Sequence, residues 1–391
     1  MNLDKNVKLF KWFNFFADFK LYAPVAIIYF SHVTHSFALG LSIFSIAMLS
    51  DAIFELPTGL FSDYLGRKKS IALGALAAIL AISFYAIGHS YWILVIGAIL
   101  EGLSTAFYNG NNDALLYDSL AQEGRIDRYH YVLGKTSAMF QVGLAASALL
   151  GGFIANWSFV ILMWVSVIPQ ILCFIISLNF TEPAHIRRVK NIYEHLSEAI
   201  KLFIQNVQLR RLSLSTMLSF ALGESSYQFQ AAFYNMVWPV WAIGIAKTFS
   251  NIAAALSYHF SGKLIDKHWP IKWLLASNLY NRVVNTVALI FPSIFSPVLI
   301  SSTSLFFGVS SIAKNTLMQN EFTPAQRATM GSLNSLAGSI AFAIYAPILG
   351  FVADRIGPAN SLIMTQVLSL SFLWLYWKIF KDTNKKLSKA E

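Results

Sequence analysis

The chain has 391 residues, of which 56% are hydrophobic, 15% aromatic and only 12% charged. Soluble domains run near 25% charged and about 45–50% apolar, so an ordinary soluble enzyme, a disordered chain and a collagen-like chain are excluded. The net charge of +10 invites a nucleic-acid reading until the basic residues are placed, and the single Cys173 leaves no disulfide framework and no Cys-rich zinc or iron–sulfur site.

A bilayer-spanning helix takes roughly 20 apolar residues. Runs of that kind fall at about 9–31, 39–61, 70–88, 91–117, 130–155 and 158–180. Six more follow at about 209–235, 239–262, 271–291, 297–319, 329–352 and 360–380. Most gaps are as short as His89-Ser90 or Asn156-Trp157, which suits antiparallel helices rather than separate domains. The first run is too long for a signal-peptide core and lacks a small-residue cleavage site, so it is expected to span. With the N-terminus inside, all but five of the 29 Lys+Arg fall on the inner side. Arg355 is outside; Lys20, Lys247, Arg282 and Lys314 lie within the membrane. This segregation follows the positive-inside rule. It excludes nucleic acid as a partner and predicts a multi-pass protein of the inner or plasma membrane, with both termini cytoplasmic.

In chain order, the first run carries Asp18, Lys20 and Tyr22. The second carries Asp51 and Glu55, four apart and so on one helix face with Gly59 and Asp63. That stripe reads as a gating contact or a proton site. Between the second and third runs stands Gly59-Leu-Phe-Ser-Asp63-Tyr-Leu-Gly66-Arg67-Lys68-Lys69. Gly59 lets two helices approach, Asp63 can meet a helix N-terminus, and Arg67 can pair with Asp118 or Asp113 at the end of the fourth run. The fourth run adds Glu101, Asn109 and Asn112; the fifth ends Gly143-Leu-Ala-Ala-Ser147-Ala148-Leu-Leu-Gly151-Gly152.

The one long gap, 181–208, has Ile192, Leu196, Ile200 and Phe203 at helical spacing among Arg187, Arg188, Lys190, Glu194 and Glu198. It reads as an amphipathic linker helix on the cytoplasmic surface. It divides a six-helix bundle over 1–180 from a second over 209–391 that ends in a short cytoplasmic tail. The seventh run offers Glu224, Tyr227, Gln228 and Gln230; the tenth offers Lys314, Asn315 and Gln319. The halves also repeat. Gly262-Lys-Leu-Ile-Asp266 follows the eighth run as Gly59 to Asp63 follows the second, and Gly350 to Asp354 ends the eleventh as Gly152 to Asn156 ends the fifth. Parallel repeats of this kind are a transporter architecture with the site near mid-membrane.

The 59–69 segment resembles the signature of the major facilitator superfamily, G-x-x-x-D-x-x-G-R-[RK], at all five fixed positions, and the resemblance covers essentially the whole chain. It implies twelve helices in two pseudo-symmetric bundles that alternate access to a central site, with helices 1, 4, 7 and 10 lining the cavity. It also implies a latch built from Gly59, Asp63, Gly66, Arg67, Asp113 and Asp118, echoed at Gly262 and Asp266, closed in the outward-open state and broken in the inward-open one. Ala98 stands where drug:proton antiporters of the family carry an arginine, and Ser147-Ala148 where they carry Gly-Pro. The segment Ala114 to Leu120 resembles members that export drugs or metabolites.

An ionisable side chain at mid-bilayer costs on the order of 2.5–3.5 kcal/mol and usually marks a functional path. Proton coupling requires a carboxylate whose affinity for the proton changes with its surroundings. Asp18, Glu101 and Glu224 are the candidates, with Asp51 and Glu55 after them. Each is open to permanent pairing instead: Asp18 or Glu101 with Lys20, Glu224 with Arg282 or Lys247. Asp18 and Lys20, two apart, cannot face each other on one helix, so Lys20 is expected to find an acid on another helix or a ligand. Lys20, Tyr22, Asn109, Asn112, Tyr227, Gln228, Lys314 and Asn315 are the substrate-binding candidates. The acidic bias of the first half and basic bias of the second suit a substrate with both charges, or an anion held by Lys314 with Lys20.

The function expected is proton-driven export of drugs or secreted metabolites by a monomeric secondary transporter in contact with membrane lipid. The alternative is proton-coupled uptake of an anionic or zwitterionic metabolite such as an organic acid or siderophore. The scattered histidines form no catalytic set and no G-x-x-x-x-G-K-[ST] is present. An enzyme, a cofactor and a metal are therefore not expected.

Overall fold

A computed structural model describes residues 4–183, 207–267, 270–319 and 327–387. Apart from residues 181–183 and 207–208, the expected linker lies outside the described residues. Among the described residues the chain is all helix with no strand, and nine helices are long and apolar enough to cross a membrane.

The chain groups into two units, Met1–Arg188 with Trp238–Thr248, and Val189–Val237 with Phe249–Glu391. Residues 238–248, which the sequence places in the second bundle, thus group with the first.

The first unit contains α1 (Asp4–Ala17), α2 (Ala26–Thr34), α3 (Phe37–Leu65), α4 (Arg67–Ile87), α5 (Tyr91–Tyr108), α6 (Asn111–Gln122), α7 (Tyr129–Trp157) and α8 (Phe159–Leu178). Two of the expected spans are broken. The run 9–31 stops at Ala17, turns through residues 18–22 and resumes after a 3-10 turn, Ala23–Val25, that contains Pro24. The run 91–117 is interrupted at Asn109-Gly110, where Gly110 has a φ of 72° that other residues rarely adopt. Both breaks lie where the polar residues concentrate.

Packing in this unit brings α5 against both α3 and α4. A Cβ on Gly102 would collide with the α3 backbone at Ala47, and one on Gly97 would lie 2.7 Å from the Tyr85 ring. The glycines of the fifth run act similarly. A Cβ on Gly143 or Gly151 would strike the carbonyl of Phe15 or Leu21, so α7 crosses directly over the break in the first span. Phe10, Phe13, Ile71, Leu115, Leu116, Cys173 and Phe180 form the adjacent core.

The second unit contains α9 (Val207–Val237), most of α10 (Val240–Lys267), α11 (Pro270–Ile290), α12 (Ser296–Ser302), α13 (Phe307–Gln319), α14 (Arg327–Ile356), α15 (Pro358–Leu368) and α16 (Leu370–Leu387). Here the tenth span is broken by a 3-10 turn at Thr303–Phe306, and the twelfth at Ser369. Leu209, Leu212, Leu222, Ile271, Leu274, Phe372 and Tyr376 anchor its core. Many large apolar side chains, Trp92, Ile53, Trp157 and Phe291 among them, face outward. In lipid such a surface is in its natural solvent.

Candidate functional site

The first unit encloses a cavity of about 490 Å³ at the two helix breaks. Asn14 enters from α1, Asp18, Lys20 and Tyr22 from the break after it, Glu101, Ser104, Thr105 and Tyr108 from α5. Asn109 comes from the second break, Asn112 and Asp113 from the start of α6, Gln141 from α7 and Gln170 from α8.

Because the first span leaves the helix at Ala17, residue 20 is free of the helical register that would have aimed it elsewhere. The Lys20 N–H donates to the Asp18 carbonyl at 2.7 Å, and the Ala23 N–H to the Lys20 carbonyl at 3.1 Å. This turn carries the Lys20 side chain across to α5, where Nζ lies 2.6 Å from Glu101 Oε1. Tyr22 Oη donates to the same oxygen at 2.9 Å, and Tyr85 Oη to Oε2 at 2.8 Å. Both oxygens of Glu101 are therefore occupied by close, charge-assisted or buried donors. The expectation that residues 18–20 lie on one helix is corrected: they lie in a turn, and the acid that Lys20 meets is Glu101.

Asp18 differs. It lines the same cavity, yet among the described residues no donor reaches its carboxylate. Two acceptors of the cavity wall, Asn112 Oδ1 and Gln170 Oε1, are buried without a hydrogen-bond partner. The Gln170 amide nitrogen points at the Phe16 and Ala17 carbonyls, 3.4 Å from each, which leaves its oxygen for the cavity. An unpaired buried acceptor carries a desolvation penalty of about 1–3 kcal/mol, so this wall is built for something that donates hydrogens. Its carboxylates, Asp18, Glu101 and Asp113, outnumber its one cation, Lys20.

The other candidates are distributed around the two units. Asn109 Nδ2 donates to Asp51 Oδ1 at 3.0 Å, so a substrate candidate and a proton candidate meet each other; Glu55, one turn on, is exposed. On α9, Gln228 Nε2 donates to Glu224 Oε1 at 2.8 Å, and Tyr227 is partly exposed. Arg282 does not pair with Glu224: its Nη1 donates to Gln366 at 2.6 Å and its guanidinium lies over the Phe372 ring. Lys314 has no carboxylate partner among the described residues, and Asn315 is exposed.

The loop between α3 and α4 is organised by two carboxylates. Arg67 Nε lies 2.8 Å from Asp118 Oδ2 on α6. Asp113 lies on the cavity wall instead. The Arg67 and Lys68 N–H groups donate to Glu182 Oε1 and Oε2, each at 2.8 Å. Glu182 thereby caps α4, satisfying two of the helix's open N–H groups and meeting its positive end. Gly66, at φ 95°, is needed twice over: a Cβ there would be strained and would lie 2.8 Å from the Glu182 carboxyl. Asn6 ties the same region together, donating to Ser119 Oγ at 2.9 Å and to the Thr181 carbonyl at 2.8 Å.

Asp63 is exposed at the end of α3. Nothing lies within 4 Å of a Cβ built on Gly59 or Gly262, so the close approach expected at Gly59 is absent among the described residues. Asp266 falls on α10, but its side chain lies outside the described residues. Glu182 and Tyr85 were missed by sequence reasoning. Tyr85 gives no local signal within an apolar run, whereas the carboxylate of Thr181-Glu182-Pro183, just past the sixth run, was legible as a possible cap. Glu182→Ala is expected to lower stability by about 1–2 kcal/mol, with Glu182→Gln between it and wild type. Thermal melts in detergent test this, and superimposable curves would refute the cap.

Comparison with known proteins now adds to this geometry. The sequence model of the Major Facilitator Superfamily matches residues 12–345. An uncharacterised transporter of Buchnera aphidicola is 26% identical over 238 residues, 61% of this chain and 53% of that protein, so the match spans about half that relative's length. The quinolone resistance protein NorA of Staphylococcus aureus is 24% identical over 316 residues, 80% of each chain. Among solved structures, a mutant of the nucleoside transporter NupG superposes with a TM-score of 0.84 at 13% identity, covering 97% of this chain and 100% of that one. A bacterial homologue of the human lysosomal transporter Spinster gives a TM-score of 0.74 at 17% identity, covering 97% and 95%. At these identities the solved structures show a shared fold.

Proposed function

The chain belongs to the Major Facilitator Superfamily and is an integral multi-pass transporter of small molecules; from that premise we propose that it exports a small organic solute bearing a basic nitrogen, in exchange for protons. The observation that carries this reading is the Asp18 carboxylate, without a donor, on a cavity wall beside the unpaired acceptors of Asn112 and Gln170. A protonated amine supplies both the charge and the N–H groups that this wall lacks. A proton on Asp18 and a cation beside it exclude each other, and such competition is the physical basis of exchange. Lys20 is engaged by Glu101, which weakens the reading of an anion held between Lys20 and Lys314.

Export is further supported by the likeness to NorA, a protein named for quinolone resistance. Exchanging one protonated amine for one proton moves no net charge, so the pH gradient is the driving force: one pH unit supplies about 1.4 kcal/mol, a gradient of roughly 10-fold. In this reading the Arg67–Asp118 and Glu182 contacts hold the α3–α4 loop against its own bundle and are remade or broken as the two bundles rock. The second reading, proton-coupled uptake of an anionic or zwitterionic metabolite, is favoured by Lys314, which meets no carboxylate among the described residues.

Proteoliposomes separate the two. With an acid lumen, a quinolone with a basic ring amine or an arylalkyl amine is expected to accumulate inside well above the level in protein-free liposomes. Accumulation of an organic acid driven by an acid exterior, with no response of the basic probes, would reverse the assignment.

A further inference from the structure

Helices α11 and α16 of the second unit pack side by side and leave an open groove of about 680 Å³ between them. Leu275, Leu279, Leu370, Leu373, Trp374 and Trp377 wall it without one polar side chain, and Lys272 stands at one end. At that same end the Lys378 ammonium sits 3.6 Å from the centroid of the Trp374 ring, and that of Lys381 5.3 Å from Trp377. Among the described residues none of these three lysines meets a carboxylate. We propose that this groove is a binding site for one anionic phospholipid, with an acyl chain along the leucines and the phosphate on Lys272, Lys378 and Lys381.

The groove runs along a helix pair whose second member continues the span Pro358–Lys378, so its apolar length faces hydrocarbon and its lysine end faces the headgroup layer. Indole rings favour that boundary, and both tryptophans are about half exposed there. Basic pockets between spanning helices select anionic headgroups, each nearby lysine adding a favourable increment. A zwitterionic lipid brings its own ammonium and leaves the three lysines uncompensated. The lysines are held rather than waving: two rest on the indoles that wall the groove, so cation and apolar surface are presented together. The inference is independent of the transported solute and of Asp18.

Native mass spectrometry of the purified chain with equal amounts of phosphatidylglycerol and phosphatidylcholine of matched acyl chains tests it. Phosphatidylglycerol is expected to be retained at least tenfold over phosphatidylcholine. Each Lys→Gln change at 272, 378 or 381 is expected to reduce its retention about five-fold. Leu279→Trp, which fills the groove and touches no charge, is expected to displace the lipid as well, and glycerol phosphate without acyl chains is expected not to bind. Equal retention of the two lipids, or an unchanged triple-glutamine variant, would overturn the proposal. So would a Leu279→Trp variant that still holds phosphatidylglycerol, which would reduce the lysines to surface charge. Lys272 and Leu279 line the groove and Lys378 and Lys381 rest on its tryptophans, and melting curves of the variants check that the fold is intact.

Discussion

Replacing Glu101 with leucine is expected to destabilise the protein by about 3 kcal/mol, and adding Lys20→Met to that variant is expected to recover more than half of the loss. The reasoning starts from the pair's surroundings. Lys20 and Glu101 both line the cavity and keep 27% and 22% of their side-chain surface. Removing one member of a buried ion pair leaves the other charge uncompensated and costs about 3–5 kcal/mol; the partial exposure places this pair at the lower end. Two hydroxyls add to the loss, because Tyr22 and Tyr85 are buried and both donate to Glu101. An apolar replacement of both charges removes the stranded cation, and such swaps are often nearly neutral. It does not restore acceptors for the tyrosines, which is why recovery is incomplete; Tyr22→Phe and Tyr85→Phe in that background should return the remainder. Denaturant or thermal unfolding in one detergent measures all of these. A Glu101→Leu protein as stable as wild type, or a double variant that loses the sum of the two single effects, would show that the tetrad is not coupled.

The same tetrad shows how far the sequence can be read. Apolar length and the placement of lysine and arginine are local properties, so the spans, the membrane and the two-bundle family architecture were legible from them. The 59–69 segment likewise names its family because its fixed residues fall within one short stretch. What composition hides is where a span stops being helical. Residues 9–31 and 91–117 are continuous as apolar runs, yet the chain breaks at 18–22 and at Asn109-Gly110. Pro24 and Gly110 were the only local signs. The partners of the site are also distant in sequence: Glu101 meets Lys20 and Tyr22, and Arg67 meets Asp118 and Glu182. Charge balance alone could say that Lys20 needs an acid. Only the turn after Ala17 decides which acid it reaches, and that Asp18 is left facing the cavity.

That difference between two carboxylates in one cavity leads to the largest functional effect expected here. Asp18→Asn should fold, bind substrate more weakly and lose proton coupling, so that an imposed pH gradient no longer drives accumulation in proteoliposomes while substrate–substrate exchange continues. Protonating Glu101 would neutralise the acceptor of three hydrogen bonds and strand Lys20, a large barrier for a group that must load and release a proton in every cycle. Asp18 has no such bonds to lose. The charged groups beside it, Lys20 and Glu101, are paired with each other, Asp113 shares the cavity wall, and the neighbouring Tyr22, Tyr108 and Cys173 are neutral near pH 7 in their ordinary forms. A carboxylate in that setting responds mainly to whether water or a cation shares its cavity, which is what alternating access changes. Asparagine keeps the size and hydrogen-bonding capacity but holds no exchangeable charge, so the roughly 10-fold gradient available per pH unit should collapse toward equality. If coupling survives in Asp18→Asn, the proton is carried elsewhere. Asp51, tied to Asn109 across the second helix break, would then be the carboxylate to neutralise next.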